Sequence, residues 1–106
     1  MAWLYLFLAG VFEVVWAFFM KESNGFTKLV PSLLTILFMV VSFGLLSISM
    51  KTLPLGTSYT IWVGIGAIGA FILGIVFFHE SMNIMRIIAA ALIVAGVIMM
   101  KLATKS

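Results

Sequence analysis

Glu13 is the residue around which any chemistry in this sequence must be arranged. It stands in the apolar run from Ala2 to Met20, about 16 Å along a helix that begins near Ala2, and so close to the centre of a hydrocarbon layer about 30 Å thick. A charged side chain there costs at least roughly 2.5 kcal/mol on insertion scales, which calls for a partner or a use. Desolvation favours the neutral acid, a second carboxylate nearby would favour it further, and a bound cation favours the carboxylate. Protons and a cation would therefore compete for one group, each promoting release of the other, which is the chemistry of a proton-coupled exporter. The plainer reading is an interhelical hydrogen bond from a protonated Glu13. The other acids, Glu22 and Glu80, and the single histidine, His79, fall in polar turns where solvated charge is the expected state, and no role is assigned to them.

Three helical stripes could face this carboxylate. In the first helix Leu6, Gly10, Glu13 and Ala17 recur at three-to-four spacing, with Gly10 small enough to admit a neighbour. The second helix offers Thr35, Met39, Ser42, Leu46 and Ser49. Ser42 lies at the depth of Glu13, although a membrane serine more often bonds its own backbone than a ligand. The third offers Tyr59, Trp62, Gly66 and Gly69, two rings with polar tips that serve equally well as interfacial anchors. The Gly64, Ile65, Gly66 segment is a candidate hinge, with close packing through small residues as the alternative. Ala89 and Gly96, one heptad apart in the last helix, form a candidate dimer seam, and Trp3 and Tyr5 are expected at the membrane interface.

The elements that would position these groups follow from composition. The 106 residues are 65% hydrophobic and 8% charged, against roughly 25% charged residues in soluble domains. Leu29 to Met50 and Thr52 to Phe78 are long enough without charge to span a bilayer. Four helices are expected, at about residues 2–20, 31–50, 55–78 and 84–100 of a single transmembrane domain, with the last ending at Lys101 and Lys105. Tight turns fall at Lys21 to Gly25, Lys51 to Pro54 and His79 to Asn83, and Arg86 can snorkel from the start of the fourth helix. The expected fold is an all-α membrane protein. Such spans leave no extramembrane domain for soluble chemistry, and the first run, without a basic leader, is expected to be retained. There is no cysteine, so disulfides and thiolate metal sites are excluded, and no metal or other cofactor is expected. The net charge of +3 is loop charge and gives no ground for a nucleic-acid partner.

Four spans put both termini and the second loop on one side, with Lys51, Lys101 and Lys105, against Lys21, Lys28 and Arg86 on the other. Three against three gives no orientation preference, so the chain could insert both ways and form an antiparallel dimer; an oppositely biased second subunit is the alternative.

The segments "AGVFEVVWA", "KESNGFTKLVPS" and "TLPLGTSYTIWVGIGAIGA", with the four-helix length, resemble the small multidrug resistance transporters over essentially the whole chain. Trp16, three residues after Glu13, and "WVGIGAIGA" are similar to the guanidinium-exporting subtype more than to the quaternary-ammonium one. The resemblance implies an antiparallel, dual-topology homodimer in the bacterial inner membrane, with Glu13 of both subunits in one site. It also implies that Trp16 and Ser42 hydrogen-bond and orient Glu13, that Tyr59 and Trp62 line the site, and that Gly10 is a small position beside it. Ala89 stands where the family often has Gly. Guanidinium is a reasonable ligand, since its parallel N–H groups fit a carboxylate in a two-bond fork. A broader cation exporter, half of a heterodimer, and a membrane assembly subunit in which Glu13 only bonds a partner protein are the competing readings.

Overall fold

In a computed structural model, residues 1–104 are described, and they form four α-helices: α1 (Ala2–Glu22), α2 (Leu29–Ser49), α3 (Leu55–Phe78) and α4 (Ile84–Ala103). Their 20 to 24 residues give lengths of about 30–36 Å, matched to a hydrocarbon core. All four are apolar enough to cross a membrane. The helices outrun the expected bounds at several ends. α1 continues through Lys21 and Glu22, both good helix formers, and α2 begins at Leu29, placing Pro31 inside its first turn, where the missing N–H has no helical acceptor to lose. α4 extends to Ala103; Lys105, expected near its end and on the side of Lys51, lies outside the described residues.

Three compact turns fix the hairpins. The first is organised by Ser23, which is fully buried. Its hydroxyl donates to the Met20 carbonyl (2.6 Å) and accepts from the Phe26 N–H (3.0 Å), and its carbonyl accepts from the N–H groups of Thr27 and Lys28. Asn24, Gly25 and Phe26 all take positive φ to make that reversal. In the second, Leu53 is buried and its N–H returns to the Ser49 carbonyl (3.1 Å). In the third, His79 adopts the left-handed conformation (φ 55°) after the end of α3, and the Glu80 N–H closes on the Gly74 carbonyl at 3.1 Å, a left-handed stop one residue wider than the Schellman closure. Asn83 then caps α4, its side chain accepting from the Arg86 N–H at 2.9 Å.

The helices stand in a row rather than a closed bundle, in the order α2, α1, α3, α4. α1 packs on both α2 and α3, α2 touches α3 lightly, and among the described residues α4 packs on α3. The described chain measures 42 × 34 × 16 Å, so it is about one helix layer thick. The buried helix residues are Leu6, Ala9 and Gly10 of α1, Thr35, Ser42, Leu46 and Ser49 of α2, and Thr57, Ser58, Ile61, Trp62, Gly64, Gly66 and Gly74 of α3, with none in α4. The α2 stripe read from spacing is therefore the face turned inward. Phe38 stacks on both Phe12 and Phe19 along the α1–α2 seam, and Phe18 meets Phe77 and Phe78 along the α1–α3 seam.

Candidate functional site

Glu13 lies mid-span on α1, and its side chain is wedged against α3 at Gly66. A β-carbon at position 66 would overlap the carboxylate, so this approach exists because residue 66 has no side chain. The same device recurs along α3: Gly69 receives Val14 of α1, and Gly64 receives Val97 of α4. Gly10, one turn before Glu13, accommodates Ile65 in the same way. Small residues thus set how closely helices approach the carboxylate, and α3 runs unbroken through Gly64 and Gly66.

Two buried polar atoms here have no hydrogen-bond partner among the described residues, Glu13 Oε1 and Trp16 Nε1. They are one turn apart on α1 and so share a side of the helix. An acceptor and a donor left in this state in a low-dielectric interior are costly, and such atoms are normally satisfied. A cationic ligand with N–H groups would satisfy the carboxylate, and any hydrogen-bond acceptor would satisfy the indole.

The expected bonds from Ser42 and Trp16 to Glu13 are not made in this single chain. Ser42, fully buried on α2, donates its hydroxyl proton to the Ala9 carbonyl of α1 at 2.6 Å and accepts from Trp62 Nε1 of α3 at 3.0 Å. A serine has one proton to give. With that proton on Ala9, Ser42 ties three helices together one turn from Glu13 instead of holding the carboxylate. Nor does it bond its own helix.

Trp62 is 7% exposed and belongs to the site wall rather than to the membrane surface. Tyr59 is 54% exposed, with its ring 5.5 Å from that of Trp62. Phe43 was absent from the sequence reading because it falls beside the α2 stripe. It sits between the two indoles, 5.5 Å from Trp62 and 6.4 Å from Trp16, completing an aromatic wall. Its only signal in sequence is adjacency to Ser42.

The remaining singled-out residues lie elsewhere. Ala89 and Gly96 are exposed on α4, with open space where a Gly96 side chain would be. Trp3 carries the Lys101 ammonium 4.8 Å above its ring. Glu80, expected to be simply solvated, pairs with Arg86 (3.1 Å) and lies against Gly74, while Arg86 also donates to the Ser81 carbonyl (2.7 Å) and lies over Phe71. Among the described residues no group of His, Asp and Glu could hold a metal.

This four-span chain has close relatives. The family described as Small Multidrug Resistance protein matches residues 1–93. The chain belongs to that family. A guanidinium exporter from Proteus vulgaris is 54% identical over 104 residues, which cover 98% of this chain and 100% of the relative. One from Escherichia coli strain K12 is 52% identical, and one from Citrobacter freundii 51%, each across 98% of this chain and 99% of its own length. This member of the small multidrug resistance family is thus a multi-pass protein of the bacterial inner membrane and a transporter rather than an enzyme.

Proposed function

We propose that the chain exports guanidinium and small substituted guanidinium ions in exchange for protons, as an antiparallel homodimer in which the two Glu13 carboxylates bind either protons or the cation. The observation that carries this reading is Glu13 itself, mid-membrane, with a buried oxygen that no described residue satisfies. The names of the relatives supply the substrate: proteins 51 to 54% identical over nearly their whole length are called guanidinium exporters.

The site residues divide the work. Glu13 accepts the planar cation in a two-bond fork. Trp62, Tyr59 and Trp16 offer ring faces to it, Ser42 fixes Trp62, and Gly10 and Gly66 keep the helices close. Movement of α3 about Gly64 and Gly66 opens the site alternately to the two sides. Support for a second copy is the single-layer architecture, 16 Å thick, in which α4 buries no residue of its own. A helical domain ordinarily has at least two layers. Ala89 and Gly96 mark the α4 face for that contact. The even division of the six basic residues removes any preferred orientation, which supports an inverted, identical partner over a separate subunit.

Purified protein in proteoliposomes tests this. An inward guanidinium gradient drives proton release, and Glu13→Gln abolishes it. Absence of guanidinium-driven proton movement in the wild type, or its persistence in Glu13→Gln, overturns the proposal.

A further inference from the structure

α1 and α4 both pack on α3 without packing on each other, which leaves a trough between them. Its floor is α3 at Ile61 and Ile65, and its walls are Leu6 and Phe7 on one side and Val97 and Ile98 on the other, enclosing about 330 Å³. That is within the roughly 300–1,000 Å³ of small-molecule sites. A second cavity of about 190 Å³ continues it along the α3–α4 seam through Ile65, Val97 and Ile98 as far as Val94. The lining is hydrocarbon from the level of Trp3 down to mid-membrane, and Lys101 supplies its one charge, at the mouth.

Among the described residues that charge has no counter-ion. No acidic residue lines either cavity, and the salt bridge among the described residues, Glu80 with Arg86, belongs to the opposite end of α3 and α4. The Lys101 ammonium is held over the Trp3 ring, where both helices reach the membrane surface. An apolar slot running down from a fixed interfacial cation matches a molecule with an anion at the surface and a chain beneath it.

We propose that this trough binds one anionic phospholipid, its acyl chain laid on Ile61 and Ile65 and its phosphate on Lys101. Basic pockets between membrane helices recognise anionic headgroups by this chemistry, and an amphipathic Trp beside the cation marks the depth at which they sit. A second copy of the chain is the poorer occupant, because it brings six basic residues against three acidic ones towards an ammonium that no described acid pairs. The seat also lies behind the transport machinery without being part of it. Ile65 on its floor is the residue received by Gly10, and Val97 on its wall is the residue received by Gly64. A chain in the trough would therefore brace α4 against α3.

Native mass spectrometry of the detergent-purified protein, titrated with phosphatidylglycerol or phosphatidylcholine, tests the site independently of transport. One phosphatidylglycerol is expected per chain, retained roughly fivefold better than phosphatidylcholine, about the contribution of one interfacial lysine to an anionic lipid. Lys101→Gln removes that preference, Lys101→Arg keeps it, and Lys51→Gln, on the same side but outside the trough, leaves it unchanged. Ile98→Phe, which narrows the slot and keeps the charge, weakens both lipids. Equal retention of the two lipids by the wild type, or an unchanged preference in Lys101→Gln, overturns the proposal. So does efficient disulfide formation between two copies through Ile98→Cys, which the cysteine-free background makes unambiguous and which would place a second chain in the trough.

Discussion

At the scale of single residues, the proposed exchange sets opposed demands on Glu13. On that proposal, guanidinium affinity falls as pH drops through the range in which Glu13 takes up its proton, by about tenfold per pH unit for each proton displaced. Isothermal titration from pH 9 to pH 5 reads this, and affinity constant across that range would contradict competition. Ser42 carries a different expectation. Ser42→Ala leaves Trp62 Nε1 without its described partner and the Ala9 carbonyl with only its helical bond, so stability falls by about 1 kcal/mol, measurable by unfolding in detergent, with Trp62 emission altered. Glu13, Ser42 and Trp62 were all legible in the sequence, as a charge too deep to be idle and as periodic positions on two helices. Which atom bonds which was not. Serine can give its proton to its own backbone, to a ligand or to another helix, and only the close approach of α1 to α2 selects the Ala9 carbonyl. Phe43 was missed because ring contacts across two seams leave no periodic trace.

At the scale of elements, α3 is the part whose shape is least replaceable. Its glycines meet different neighbours, and those neighbours predict how substitutions will differ. Gly66→Val drives a side chain into the Glu13 carboxylate and is expected to reduce guanidinium export at least about 100-fold, a loss of roughly 3 kcal/mol in transport, while the purified protein stays folded and elutes like wild type. Gly44→Ala on α2, where a β-carbon meets open space, is expected to leave export and stability within about 0.5 kcal/mol of wild type. Equal export by the two variants would contradict the view that Gly66 shapes the site. The helices themselves were readable because hydropathy, proline and polar turns mark them clearly. Their ends were less so, since Lys21 and Glu22 are helix formers whose polarity reads as loop. The Ser23 turn was visible as a polar cluster, but its reversal through three positive-φ residues depends on a serine that both donates and accepts.

At the scale of the whole molecule, orientation is the property open to the cleanest manipulation. The combination Lys28→Gln with Thr52→Lys places four basic residues against two and should fix one topology; Lys51→Gln with Met82→Lys should fix the other. Each variant is expected to be inactive when expressed singly and active when the two are expressed together, with export in cells as the measurement. Full activity of either by itself would remove the need for an inverted partner. Hydropathy brought the four spans within reach of the sequence, whereas the row order α2, α1, α3, α4 was out of reach because apolar helices carry little information about which neighbour they choose. That order means the protein is two hairpins, α1–α2 and α3–α4, joined chiefly along the α1–α3 seam, with Glu13 and Gly66 on the joint. Any change in what the Glu13 carboxylate holds therefore falls where the two hairpins meet, with a whole helix pair as a lever arm on either side.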